Sequence, residues 1–420
     1  MTGYAQMTGY ARRTRSLNNP GPEQARLAIP AEVATINARI FEVKPSVGIE
    51  IIQSEKALRE FIRFPQYLYR NDPLWSPPIW REERKTFSVK NAILAHSDYI
   101  LFLARERGEV AGRILAYVDH NFNNYYGSSI GMFGSFESVD RIEVAKALFS
   151  AAESWLASQG MNTIRGPINP IEECWGTLYT GFEKPATFMM PYNRPYYNEY
   201  LESLGYAKVK DLLAFEGDAR QGYRIPDRFI RFREKIMAQR PCLRIRPIDM
   251  KHLLRDAEEI WRISNQAIRD NWGWAPYGVE ELKSTIKKLK PIADPDAIWI
   301  IEDAGEAVGF CLGFPDINVI LRQIRGRLLP FGFITLLARR RRLREYRLFG
   351  LAVMPEYQGF GLDVLLYMSL YEALAPRDIL LEASYILEDN AAMVNALQKL
   401  GLKQTKTYRI YEKSISRSKE

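Results

Sequence analysis

An apolar run that ends in a glycine-rich turn and restarts as an apolar helix constrains this 420-residue chain more than any other stretch. Leu348–Met354 reads as a buried strand, and Leu362–Leu374 as a helix that Pro376 stops. Between them lies Pro355-Glu356-Tyr357-Gln358-Gly359-Phe360-Gly361-Leu362-Asp363. An apolar helix following a buried strand at this distance is expected to cover a sheet, which points to the α/β fold class. Gly359 and Gly361 let the backbone approach a ligand closely. The first-turn N–H groups of the helix have no partners inside it. A helix N-terminus of this kind is an anion site suited to a phosphate. The same residues would also serve as a plain tight turn.

The order of elements around this stretch occurs twice. Gly108-Glu109-Val110-Ala111-Gly112 matches Gly305-Glu306-Ala307-Val308-Gly309, and Leu201-Glu202-Ser203-Leu204-Gly205 matches Leu397-Gln398-Lys399-Leu400-Gly401. The two offsets, 197 and 196 residues, nearly agree, which argues for an internal duplication. We read a first half at 48–217, a charged linker at 218–239 and a second half at 240–413. Residues 1–47, in which a Pro/Asn/Gly-rich run follows Arg12, Arg13 and Arg15, read as a peripheral tail, and 414–420 as another. Paired mixed sheets are expected, one per half, with Tyr125–Phe136 among the strands. Only the second half carries the glycine turn. The first has Ser135-Phe136-Glu137-Ser138-Val139-Asp140 in its place, two acids and no glycine, and is not expected to hold a phosphate.

Composition narrows the chemistry. Cys174, Cys242 and Cys311 lie far apart and are odd in number, which fits a reducing, cytoplasmic setting. His96, His120 and His252 do not pair at ligand spacing, so no metal site and no histidine triad is expected. The net charge is +8. Nine arginines and one acid between Leu321 and Phe349 account for all of it. Inside this segment Leu328–Ala338 is mostly apolar and too short to span a bilayer, which takes about 20 residues. It suits a peripheral contact with an anionic membrane through residues 321–349. The competing uses are a phosphate-facing patch and a solvated basic helix. An arginine cluster around an apolar core is a poor groove-reading helix, which argues against nucleic acid.

The residues Tyr357-Gln358-Gly359-Phe360-Gly361-Leu362-Asp363, the strand before them, and a following strand and Asn-started helix resemble the GNAT acyltransferase superfamily. The whole chain, including Asn271-Trp272-Gly273-Trp274 and Met190-Pro191-Tyr192-Asn193, is similar to a group of bacterial tandem GNAT-like proteins. Members of that group are linked to long-chain N-acylation, including bacterial ceramide synthesis. The resemblance implies that Gln358, Gly359, Phe360, Gly361, Leu362 and Asp363 hold the pyrophosphate of an acyl-CoA co-substrate. It implies that backbone N–H groups near Leu351 and Val353 face the thioester, and that Asn390 contacts the CoA arm. Asp363 departs from the pattern, which has a small residue there. A carboxylate is tolerated beside a phosphate only if it caps the helix or faces away.

Transfer of an acyl group to an amine needs positioning, a proton acceptor and a proton donor. Glu382 and Glu388 are the base candidates and Tyr385 the acid candidate. Glu382 lies between Leu381 and Ala383, so a partly buried carboxylate of raised pKa is expected. Leu397 stands where many members have a catalytic tyrosine, and Tyr408 is the alternative donor. The acceptor candidates are Asn169, Glu172, Glu173, Met189, Met190, Tyr192 and Asn193 on the long first-half loop, with Asn271, Trp272 and Trp274 from the second half. The reading is an acyl-CoA-dependent N-acyltransferase acting on a primary amine, with a sphingoid-type lipid amine favoured by the basic-apolar segment. An acetyltransferase of small amines or peptides, and a non-catalytic acyl-CoA sensor or DNA-binding regulator, are the alternatives.

Overall fold

The first half builds a sheet edge and its covering helices from strong local signals. The computed structural model describes residues 47–415 except 88–90, 92, 171–173 and 277. The expected N-terminal tail and the acceptor candidates Glu172 and Glu173 therefore lie outside the described residues. Val47–Ile51 is β1, followed by α1, Glu55–Leu68, which Ser54 caps by accepting the Ala57 N–H at 3.1 Å. Trp80–Thr86 is α2. Ser97–Glu106 (β2) and Glu109–Asp119 (β3) form the first hairpin. His120–Tyr126 is a short helix, α3, and Ile130–Ser138 is β4. The expected strand at Tyr125–Phe136 thus starts later. Asp119 caps α3 through the Phe122 N–H, and Gly127 ends it in a left-handed conformation. Ile142–Ser158 (α4), Thr163–Gly166 (β5), Thr177–Thr180 (β6), Tyr196–Ser203 (α5) and Ala207–Asp218 (β7) complete this run.

The segment expected to be a linker is a helix, α6, Asp227–Gln239. Phe229, Ile230, Phe232, Ile236 and Met237 on it lie against the second core, half-buried, which is why a charged sequence still folds there. The pattern then repeats: Leu243–Pro247 (β8), Leu253–Ala267 (α7), Val279–Leu289 (α8), Ile298–Asp303 (β9) and Glu306–Pro315 (β10). Asn318–Ile324 (α9) and Gly332–Arg339 (α10) carry the basic-apolar segment. Glu345–Val353 (β11), Leu362–Leu374 (α11), Leu380–Leu387 (β12), Ala391–Leu400 (α12) and Lys403–Ser414 (β13) follow.

All thirteen strands join one sheet, which corrects the expectation of two. Its order is β1-β2-β3-β4-β5-β13-β7-β12-β11-β10-β9-β8, with β6 pairing β13 off this path. The order shows that the last strand of each run has crossed over. β13 pairs β5, with Tyr411 opposite Gly166, and β7 pairs β12, with Ala383 opposite Phe215. The two exchanged strands pair each other at the centre, from Lys403–Glu216 to Glu412–Ala207. Side chains follow the backbone. Tyr411 is buried in the core formed by α4 and β2–β4, and Phe215 in the core formed by α11 and β9–β12.

Each core therefore lacks a strand and an aromatic residue unless the other run supplies them. Chains of residues 46–217 and 218–420 expressed separately should not fold alone, because each exposes a ladder edge and loses a core aromatic. Calorimetry of the full chain should give one unfolding transition. Two resolved transitions, or a folded isolated half, would contradict the exchange.

Candidate active site

The glycine turn sits at the open end of a fork in the sheet. β11 and β12 run parallel and pair from Glu345–Leu380 to Leu348–Ala383, where the ladder stops. β11 continues along β10 to Val353, with a bulge at Phe349 between the Leu312–Gly350 and Gly313–Leu348 pairs. β12 continues along β7, with its own irregularity between Ala383 and Ile386. Met354 donates its N–H to Val308 O at 2.8 Å, so strand alternation turns the Leu351 and Val353 N–H groups away from β10 and into the fork. Among the described residues, no backbone acceptor crosses the fork to meet them.

At the mouth, Gly359 and Gly361 adopt φ of 80° and 77°, which a β-branched or bulky residue rarely reaches. The Gly359 α-carbon faces open space. A Cβ at Gly361 would lie 2.5 Å from the Phe232 ring of α6, so the former linker covers one side of the turn. Arg240 lies with its guanidinium 4.1 Å from the Phe360 ring centre. The Gln358 side-chain amide donates to Val353 O at 3.1 Å and fixes the turn to the strand. Leu362 is buried as the first residue of α11. Behind the turn, a narrow cleft runs between β11, α11 and α12, lined by Leu348, Leu351, Asp363, Val364, Met393, Ala396 and Leu397. Asp363 points into this cleft. Burial raises its pKa, and the backbone N–H groups of Val364 and Asp363 itself partly offset that. It therefore meets the first turn of its own helix. Asn390 caps α12 by accepting the Met393 N–H at 3.1 Å.

The first half has the same fork, and its own chain fills it. β4 and β5 pair only from Ile130–Thr163 to Met132–Arg165. Ile168 then donates its N–H to Phe133 O at 2.7 Å, and Asn169 Oδ1 accepts the Ser135 N–H at 2.7 Å. A Cβ at Gly134 would lie 2.7 Å from Ile168 O, so this fork is closed by backbone contact. Glu137, in the place of the glycine turn, is buried and accepts hydrogen bonds from Tyr69 and Tyr197. Asn169, an acceptor candidate by sequence, is thus occupied in sealing the first fork.

Below the open fork lies a buried polar cluster. Glu382 is fully buried and accepts from Lys406 Nζ at 2.6 Å, Thr187 Oγ1 at 2.7 Å and Ser384 Oγ at 3.0 Å. Burial pushes its pKa up, but the charge and hydrogen bond of Lys406, with Thr187 and Arg347, hold it below the usual range. The expected raised pKa is therefore corrected, and a carboxylate so paired has little capacity as a base. Arg347, counted by sequence with the exposed arginines, is also buried; it donates to Ser384 and to Phe188 O. Its guanidinium lies 5.1 Å from the Phe349 ring and 5.4 Å from the Tyr385 ring. The Tyr385 hydroxyl donates to Trp175 O at 2.8 Å and accepts the Trp175 N–H at 3.0 Å. Tyr408 packs edge-on to Tyr385 at 5.5 Å, and its hydroxyl is buried with no hydrogen-bond partner among the described residues. Glu388 lies beyond the fork, anchored by Lys208 at 2.6 Å and the Asp211 N–H at 2.9 Å.

The remaining acceptor candidates separate. Asn193 is buried and holds β6, accepting the Leu178 N–H at 2.6 Å. Tyr192 donates to Asp72 at 2.8 Å. Asn271 and Trp272 line a surface cleft of about 560 Å³ with Tyr125, Tyr126 and Arg165. Trp274 packs edge-on to Tyr125 at 5.7 Å. Gly273 faces the Trp175 ring, so this loop reaches the residue that holds Tyr385. Asp316, just after β10, was not singled out by sequence. It is buried, and burial pushes its pKa up to about 7 despite the Asn318 N–H, Arg322 and Lys406. Its sequence signal, a carboxylate closing an apolar strand at Phe314-Pro315-Asp316, is weak.

An open fork between two parallel strands, with a glycine turn and helix N-terminus at its mouth, defines an acyltransferase of the GNAT type. Comparison with known proteins agrees. Residues 257–402 match the family described as acetyltransferase (GNAT) family. The chain is 36% identical over 367 residues to a protein named YghO of Escherichia coli (strain K12), covering 85% of this chain and 93% of that one. It is 31% identical over 383 residues to a bacterial ceramide synthase of Caulobacter vibrioides, covering 87% and 96%. Among solved structures, a tandem GNAT protein from the clavulanic acid biosynthesis pathway matches with a TM-score of 0.54 at 11% identity, over 89% of this chain and 99% of that one. A GCN5-related N-acetyltransferase from Sphaerobacter thermophilus matches with a TM-score of 0.51 at 12% identity, over 88% and 96%. The chain belongs to the GNAT acyltransferase family, in its tandem form, and is an N-acyltransferase.

Two outcomes follow from the buried cluster. Lys406→Met leaves Glu382 charged and unpaired, and should cost about 3–5 kcal/mol in denaturant unfolding; a loss within error would show that the pair is dispensable. The folded pKa of Asp316 lies above its ordinary 3.8, so the stability it contributes is present at low pH and lost as pH rises toward about 7. Glu382 acts in the opposite sense, its contribution being lost as pH falls below its ordinary 4.5. Asp316→Asn should therefore flatten the decline in unfolding midpoint between about pH 4 and 7, and an unchanged profile would count against it.

Proposed function

We propose that the chain transfers a long-chain acyl group from a CoA thioester, bound in the β11–β12 fork, to the primary amine of a sphingoid-type lipid. Family members use acyl-CoA. The observation that supports this donor site is the contrast between the forks: one is sealed by Ile168 and Asn169, and the other leaves the Leu351 and Val353 N–H groups open. The pyrophosphate would meet Gln358–Gly361 and the start of α11, where the helix dipole favours negative charge. The pantetheine arm would follow the cleft past Asp363, Met393 and Ala396, with Asn390 at the start of α12 beside it. The thioester carbonyl would then meet backbone N–H groups of β11, which stabilise the oxyanion as the amine attacks. The carbon–sulfur bond breaks, the thiolate takes up a proton, and the amine gives one up.

Tyr408 is our candidate for the proton donor to the thiolate, because its buried hydroxyl has no hydrogen-bond partner among the described residues and its ring abuts Tyr385 at the fork. The Asn271–Trp272 cleft, next to Trp175, is the candidate acceptor entrance. The lipid acceptor and long acyl chain are supported by the name of the Caulobacter relative and by the exposed apolar residues of the arginine-rich segment. Such substrates place the enzyme at a membrane surface.

CoA should raise the melting temperature of the full chain, and Ala396→Phe, which fills the cleft, should abolish that rise while leaving the fold intact. No shift with CoA or any acyl-CoA would remove the donor site. In competition, C14–C18 acyl-CoA should outcompete acetyl-CoA; preference for acetyl-CoA would replace the lipid reading with a small-amine one. Tyr408→Phe should lower kcat more than KM; a change confined to KM would remove it as the acid.

A further inference from the structure

We propose that the α9–α10 segment is an interfacial anchor that lays this face of the protein on an anionic bilayer. Five large apolar side chains are exposed side by side here: Leu329 (71%), Phe331 (72%), Phe333, Ile334 (61%) and Leu337. Half of the large exposed apolar residues among the described ones lie in these nine positions. The inner face of α10 is apolar as well, with Leu336 buried in the second core. A solvated basic helix would turn polar residues outward. This one is apolar on both sides, and its outward face needs a cover.

The choice of a bilayer follows from what rims that face. Arg325 and Arg327 precede it, Arg339 and Arg342 follow it, and all four are exposed. Among the described residues, Arg325, Arg327 and Arg342 have no carboxylate within ion-pair distance. Apolar side chains at the acyl boundary with guanidinium groups at the height of lipid phosphates are the arrangement of a helix that lies in the interface. No helix of the described residues is long and apolar enough to cross a membrane.

The segment is fixed at its base rather than hanging free. The Trp80 indole N–H donates to Arg325 O at 3.0 Å, and Arg322 donates to Ser76 Oγ at 2.8 Å. A Cβ at Gly326 would lie 2.1 Å from Pro78 O, so the chain passes directly over the proline-rich loop. From Trp80, ring contacts continue to Trp75 at 6.3 Å, to Tyr69 at 5.4 Å and to Tyr192 at 5.6 Å. Asn318, at the start of α9, donates to Ala186 O, next to the Thr187 that binds Glu382. The anchor is thereby held in a fixed relation to the fork, which suits delivery of a lipid amine. That purpose rests on the proposed lipid acceptor; the docking itself does not.

Sedimentation of the full-length chain with vesicles tests this. The chain should pellet with phosphatidylcholine vesicles containing phosphatidylglycerol, less with phosphatidylcholine alone, and less at high salt. The double variant Phe331→Asp, Ile334→Asp should lower the bound-to-free ratio at least about tenfold while keeping the CoA-induced melting shift. If that variant does not fold, Arg327→Glu with Arg342→Glu should give the same loss. A wild-type chain that stays in the supernatant, or variants that bind as well as it does, would overturn the proposal. So would a dimer in size exclusion that the Asp variants dissolve, since the face would then belong to a second copy. Vesicle binding by a chain that prefers acetyl-CoA would keep the anchor and remove only the lipid-acceptor reading.

Discussion

The ladder between β11 and β12 ends at the Leu348–Ala383 pair, and the site depends on that stop. A parallel pair normally continues until one strand runs out of partners. Here both strands continue, each along its other neighbour, β11 on β10 and β12 on β7. They part at the Phe349 bulge and at the irregularity after Ala383. What remains is a gap whose β11 wall carries backbone donors with no acceptor across it among the described residues, and in a water-poor cleft such donors suit a developing oxyanion. The strand exchange supports this gap. β7, which supports the free length of β12, comes from the first run and is itself held by β13 from the second.

The two halves show how one scaffold was put to two uses. Both have a fork. In the first, a loop residue supplies the hydrogen bonds a ligand would make, and a buried Glu137 held by two tyrosines replaces the glycine turn. The buried Glu382–Lys406 pair does comparable structural service beneath the open fork, linking β12 to β13 across β7, and Arg347 ties β11 to Ser384 of β12. Buried charges of this kind add little net stability, yet breaking one partner is costly, so they fix geometry more than they strengthen it.

Much of this was legible in the chain itself. The helices Leu362–Leu374 and Ala391–Leu400 begin and end where Gly361, Pro376, Asn390 and Gly401 place them, because caps and breakers are local signals. Ser54 likewise caps its helix through a local hydrogen bond to the Ala57 N–H. The misreadings share a cause: they turn on tertiary partners. Tyr125 and Tyr126 look strand-forming, but the Asp119 cap and Gly127 make a helix of their segment. The charged 218–239 region looked like a linker because only one half-buried face of α6 meets the core. Arg347 stood among arginines that are exposed, and its burial is set by β12 and the Phe188 loop. Glu382 gains its low pKa from Lys406, which lies on a strand that pairing alone brings near. The exchange of β7 and β13 has no local signature, since register is decided between strands.

Amide hydrogen exchange with and without a long-chain acyl-CoA tests the central claim most directly. The account predicts slower exchange at Leu351, Val353 and the first turn of α11, and unchanged exchange at Phe133–Ser138 and Ile168, where the first fork is already sealed. Protection appearing at the first fork, or none at Leu351 and Val353 under saturating ligand, would contradict it.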